Sequence, residues 1–84
     1  MYEVLLEGNA QRDLKKLPIE IFHRLTSEIG ELANNPRPRG CRKIVGSQSD
    51  WRIRIGQYRI IYEIDDPARI IRVMRVRHRK EVYR

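Results

Sequence analysis

Polar and apolar positions alternate at the start of the chain. Tyr2, Val4 and Leu6 fall on one face of a strand from Tyr2 to Leu6. The period then lengthens. Asn9 suits an N-cap for a helix to about Leu17, with Ala10, Leu14 and Leu17 on one side. Pro18 suits the first turn of a second helix, which buries Phe22, Leu25, Ile29 and Leu32 at i, i+3, i+7 and i+10. The run Asn34-Asn35-Pro36-Arg37-Pro38-Arg39-Gly40 ends that helix in a loop. Beyond it the period is two again. Arg42 to Val45 is a short strand, and Gly46 to Asp50 turns the chain. Trp51 to Ile55 and Tyr58 to Ile64 are separated by two residues, Gly56-Gln57, as in a hairpin. Asp65-Asp66-Pro67-Ala68 is the next turn, and Ile70 to Val76 is the last long strand.

That last strand does not alternate cleanly. Ile70, Met74 and Val76 share a face with Arg72, while Ile71 and Val73 share the other with Arg75. A central strand covered on both faces has this pattern. The expected fold is α+β in the order βααβββ plus one short strand. It is an antiparallel twisted sheet with an N-terminal helical hairpin on one face and a short basic C-terminal tail.

Composition narrows the picture. The chain has 84 residues, which predicts one domain over 1–84. A domain of this size buries roughly 60% of its unfolded surface, enough for a single core. No apolar run reaches the length of a membrane span. The N-terminus lacks the basic and apolar regions of a signal peptide, and Cys41 has no cysteine to pair with. Both features predict a cytoplasmic protein. Charge is uneven: residues 1–33 carry −2 and residues 34–84 carry +9. Fourteen arginines stand against four lysines, a bias that favours planar, bidentate recognition of phosphate.

Metal chemistry has no basis in the sequence. His23 and His78 are far apart and lack ligand companions. Asp50, Asp65 and Asp66 sit at turns, where aspartate serves the backbone. No nucleotide-binding or nucleophile-elbow motif occurs, so no cofactor is expected. The arginines remain. Arg52 and Arg54 project from the same side of one strand, and a two-residue loop places Arg54 opposite Arg59. Like charges in that position destabilise a sheet, so an anion is expected to fill the patch. The alternative is that Arg59 pairs with Glu63 or another carboxylate and the other arginines are solvated.

Such a set can cleave RNA without metal. The ribose 2′-OH is an internal nucleophile that needs orientation, charge neutralisation at phosphorus and a proton for the leaving 5′-oxygen. Guanidinium groups neutralise charge but do not move protons. Tyr83 and His78 are the candidates for that.

These residues carry a resemblance. The strand Trp51-Arg52-Ile53-Arg54-Ile55-Gly56, the strand Tyr58-Arg59-Ile60-Ile61-Tyr62 and the ending His78-Arg79-Lys80-Glu81-Val82-Tyr83-Arg84 resemble the RelE/ParE toxin superfamily, and within it the RelE-type mRNA interferases. Weaker support comes from Asp13-Leu14-Lys15-Lys16-Leu17 and Asn35-Pro36-Arg37-Pro38. The resemblance implies a toxin of a type II toxin–antitoxin pair that enters the ribosomal A site and cuts mRNA, leaving 2′,3′-cyclic phosphate ends. By the same resemblance, Arg52 and Arg54 match basic positions at the scissile region. Arg59 and Arg79 match arginines that stabilise the transition state, and Tyr83 matches a tyrosine that orients or activates the 2′-OH. Arg37, Arg39, Arg42, Lys43, Arg77, His78, Lys80 and Arg84 are the further candidate RNA contacts. Three positions depart from the family pattern. Arg52 and Arg54 stand where relatives often have lysine, which removes a neutral lysine base. Arg77 stands where relatives often have glycine.

Expected partners are the ribosome with its mRNA and rRNA, and a cognate RelB-like antitoxin with an acidic or amphipathic segment. That segment would cover the sheet or displace the 78–84 tail. Two other classes fit part of the pattern: a ParE-like toxin that inhibits DNA gyrase by binding it, and a basic RNA-binding module without activity.

Overall fold

In the computed structural model, which describes residues 1–81, the elements run β1 (Glu3–Leu6), α1 (Gly8–Lys15), α2 (Ile19–Glu31), β2 (Arg42–Lys43), β3 (Asp50–Ile55), β4 (Tyr58–Asp65) and β5 (Ile70–His78). A 3-10 turn, Arg79–Glu81, follows β5. The expected order holds, with β2 as the additional short strand.

Helix boundaries differ slightly from the sequence reading. Glu7, not Asn9, is the extended N-cap residue of α1. Asn9 lies inside the helix and accepts a hydrogen bond from Arg12 Nη2 at 2.6 Å. Pro18 stands just outside α2 as its N-cap, where its missing N–H costs nothing, and its carbonyl accepts the Phe22 N–H at 2.9 Å. Of the expected α2 stripe, Leu25, Ile29 and Leu32 are buried, and Phe22 packs against the same core only partly buried.

The sheet order is β1-β5-β4-β3-β2. β2 to β5 form an antiparallel meander. β1 pairs with β5 in parallel, which corrects the purely antiparallel expectation. The sheet is therefore mixed. Periodicity along a strand carries no sign of its direction, and the chain from β1 to β5, through both helices and β2 to β4, is long enough for a parallel pairing.

One face of the sheet is covered. Ala10, Leu14, Leu25, Ile29 and Leu32 of the helical segment pack on Ile53, Ile55, Ile60, Tyr62, Ile64, Ile71, Val73 and Val76. Two-sided burial of β5 is corrected too. Ile61 pairs with Arg75, but its neighbour Tyr62 pairs with Val73, so Met74 is an extra residue on β5. This bulge re-phases the strand and brings Val76 onto the same covered face as Ile71 and Val73.

Among the described residues, no strand lies beside the outer edge of β5 past Val73, where the Glu7 N–H donates to the Val73 carbonyl. Asp13, near the end of α1, takes over. Its Oδ2 accepts the Val76 N–H and Arg75 Nε, both at 2.9 Å. Burial pushes the Asp13 carboxyl up, but the hydrogen bonds from Arg75 and Val76, with the charges of Arg75 and Arg77, outweigh it and hold it below its ordinary value.

Candidate functional site

Alternation dictates what the other face carries. If Ile53 and Ile55 point to the core, Arg52 and Arg54 point away from it; the same holds for Arg59 beside Ile60. The register aligns these residues across strands. Arg42 lies opposite Arg52, Arg54 opposite Arg59, and Arg59 opposite Arg77. The open face thus carries arginine on four successive strands. Arg42, Arg52, Arg54 and Arg59 line a concavity of about 240 Å³, with Gly40 at its wall.

Electrostatics divides the arginines. Arg72 pairs with Glu63 at 2.8 Å, Arg75 with Asp13 and Arg77 with Glu81, both at 2.9 Å. Glu63, one of the carboxylates the alternative reading offered to Arg59, is engaged by Arg72. Among the described residues, no carboxylate pairs with Arg42, Arg52 or Arg54. Three arginines of the concavity therefore hold their charge toward solvent, where a phosphate oxygen could accept bidentate hydrogen bonds.

The β3–β4 turn joins the strands to the tail. Gly56 has φ of +60°. A positive φ confined to the first of two central residues is the type II′ pattern, for which glycine is preferred. Arg54 Nε donates to the Gly56 carbonyl at 3.1 Å. The Arg79 backbone N–H donates to the Gln57 carbonyl at 2.7 Å, and its Nη1 to Gln57 Oε1 at 3.3 Å. Arg54 and Arg79 therefore hold the same two-residue turn. Gln57 was not singled out from the sequence; only its place in the turn hints at this role.

A family model described as the ParE toxin of type II toxin–antitoxin systems (parDE) matches residues 4–83. Toxin RelG of Mycobacterium tuberculosis is 36% identical over 99% of this chain and 97% of its own length. Toxin RelE3 of Methanocaldococcus jannaschii is 36% identical over 96% and 94%. The chain belongs to the RelE/ParE toxin family. More narrowly, it is a RelE-type toxin of a toxin–antitoxin system. Solved structures agree. The toxin–antitoxin complex RelBE2 of Mycobacterium tuberculosis contains a chain with TM-score 0.82 and 32% identity, over 92% of this chain and 96% of that one. The archaeal RelE–RelB complex of Pyrococcus horikoshii gives 0.83 and 25%, over 93% and 94%.

Not every candidate of this RelE-type toxin lies on the arginine face. The bulge turns His78 to the helix side, where it pairs with Tyr58 and meets its ring edge-on at 5.1 Å. Its Nδ1 accepts the Lys80 N–H at 3.1 Å. His78 lines a different concavity, with Asp13, Lys16 and Tyr58. Lys43 pairs with Trp51 and so faces away from Arg42. Arg39 is exposed in the loop beside Gly40, and Lys80 is exposed in the 3-10 turn. Tyr83 and Arg84 lie outside the described residues.

Arg37 is engaged at the far end of the sheet. Its Nη2 donates to Asp66 Oδ2 at 2.8 Å, and its guanidinium sits 5.0 Å from the Trp51 ring centroid. Tyr2 OH also donates to Asp66. The hydrogen bonds from Arg37 and then Tyr2 hold the Asp66 carboxyl below its ordinary value, and the bond to Asp66 raises the Tyr2 hydroxyl.

Proposed function

We propose that this toxin is a ribosome-dependent mRNA endonuclease whose arginine face holds the scissile phosphodiester. The observation that carries the reading is the register that sets Arg54 opposite Arg59, beside Arg52, around one concavity. Like charges so placed favour an anionic occupant. Arg52 and Arg54 bind the phosphate, and Arg59 and Arg79 stabilise the negative charge that grows on the phosphorane as the 2′-OH attacks. The products are a 2′,3′-cyclic phosphate and a free 5′-hydroxyl. The attack needs the ribose hydroxyl, so DNA is not a substrate.

Guanidinium groups do not act as bases. With His78 turned toward Tyr58, the orientation or activation of the 2′-OH falls to Tyr83. Arg42, Arg39 and Arg77 extend the contact along the RNA. Lys80 and Arg84 extend it from the tail. A cognate antitoxin neutralises the protein by covering this face or displacing the tail with an acidic or amphipathic segment. The RelBE2 and RelE–RelB complexes are toxin–antitoxin pairs on the same fold, which supports such a partner.

Induced expression tests the site. Tyr83→Phe and Arg79→Ala are expected to abolish growth arrest in folded protein; full toxicity of both variants rules the site out. The family model bears the name of ParE toxins, so the gyrase-binding reading has its own readout. Double-strand DNA breaks without mRNA cuts would favour it.

A further inference from the structure

The wall of the arginine concavity has little support of its own. β2 has two residues and pairs with β3 through Arg42 with Arg52 and Lys43 with Trp51, with one further bond from the Ile44 N–H to the Asp50 carbonyl. The loop before it must therefore be placed by other contacts. The Pro36 carbonyl accepts a hydrogen bond from Tyr62 OH at 2.9 Å, and Tyr62 is fully buried. Arg37 grips Asp66 through both terminal nitrogens, at 2.8 and 3.4 Å, with its guanidinium over Trp51. Asp66 is held in turn by Tyr2 OH, and Arg69 covers the Tyr2 ring at 5.4 Å. From this anchored stretch the chain runs to Gly40 and Arg42 at the concavity.

We propose that Arg37, Asp66 and Tyr2 form a positioning clasp that sets the Gly40–Arg42 wall of the arginine concavity, and that Arg37 does not touch RNA. The clasp rests on the reading of the concavity as the phosphate seat. Arg37 is an arginine in the basic half of a nucleic-acid-directed protein, but its charge is met by a carboxylate and its plane by an aromatic ring. Those partners fix a loop, and they commit the end-on fork of the guanidinium to a carboxylate. The clasp acts through where it puts Arg42, so its loss weakens substrate binding and leaves the chemical step intact.

A charge exchange separates the two roles of Arg37. The variants are Arg37→Asp, Asp66→Arg and the double exchange. Two readouts are taken: amide hydrogen exchange at Cys41 and Ile44, whose N–H groups bond to the Pro38 and Asp50 carbonyls, and cleavage kinetics on programmed ribosomes. Each single variant is expected to speed exchange at both amides and raise KM, each by about fivefold, with kcat within about twofold, and the double variant to reverse both effects. If Arg37→Asp raises KM without faster exchange, and the double variant does not recover, Arg37 contacts RNA and the clasp is wrong. Unchanged exchange in all variants also overturns it. Should the wild type not cleave at all, the exchange readout still decides the clasp, and it is the nuclease reading that fails. If a charge reversal unfolds the protein, Asp66→Asn and Tyr2→Phe are expected to give the same local exchange increase; its absence in both refutes the clasp.

Discussion

Arginine is used in opposite ways at the two ends of the sheet. At the far end, beside the β4–β5 turn, Arg37 and Arg69 alternate with Asp66, Tyr2 and Trp51, and each guanidinium has a partner of complementary character. At the β3–β4 turn, Arg54 faces Arg59 across the ladder, and no carboxylate reaches Arg54 among the described residues. The first arrangement stabilises the fold and asks for nothing further. The second sets like charges opposite each other, a contact that an anion between them relieves. What an arginine faces across the sheet, rather than how many arginines there are, separates scaffold from site.

Substitutions at the two ends should behave as opposites. Arg54→Ala or Arg59→Ala is expected to lower cleavage by about 10²–10³-fold, the usual cost of removing one donor to a developing oxyanion. Arg54→Ala relieves a like-charge contact and loses one exposed hydrogen bond, to the Gly56 carbonyl, so its melting temperature should hold within a few degrees. A drop in both quantities would break the distinction between the ends.

Asp13→Ala is expected next in size. It leaves the half-buried Val76 N–H without its acceptor, at a cost of about 1–3 kcal/mol. Thermal melting should fall by about 4–8 °C for each kcal/mol in a domain of this length. Arg37→Ala is smaller. An exposed pair contributes about 0.2–1 kcal/mol, so its melting shift should be a few degrees at most while kcat holds.

Acid sharpens the same contrast. The folded-state carboxyls of Asp13 and Asp66 lie below their unfolded values. Their contribution to stability is therefore present above about pH 4, the ordinary aspartate range, and is lost as pH falls through the lowered folded values. Asp13→Asn should flatten that acid limb in a pH series of melting curves. Arg54→Ala should leave it unchanged.

Much of the site was legible because a two-residue loop fixes register. Once Gly56-Gln57 is taken as the hairpin turn, Arg54 must oppose Arg59. The helix stripe was legible for the same reason, as Leu25, Ile29 and Leu32 can share only one face. What escaped the sequence reading involved strand direction and phase. Nothing local marks β1 as parallel to β5. The bulge at Met74 has no turn residue to announce it, yet one extra residue sends every later side chain to the other face. That shift puts Arg77 across from Arg59 and takes His78 away from it. Val76 falling out of step with Ile71 and Val73 was the available signal. Arg37 escaped for another reason: its partner Asp66 is 29 residues away, and only folding brings them together.

The most direct test of the arginine face is cleavage of a defined mRNA on programmed ribosomes by purified protein, with the product ends identified. The expected result is a cut within the A-site codon that leaves a 2′,3′-cyclic phosphate in the presence of a metal chelator, with Arg54→Ala and Arg59→Ala slower by about 10²-fold or more. Cleavage by both variants at the wild-type rate, or no cleavage by folded wild-type protein, would contradict the assignment of this face as the phosphodiester seat.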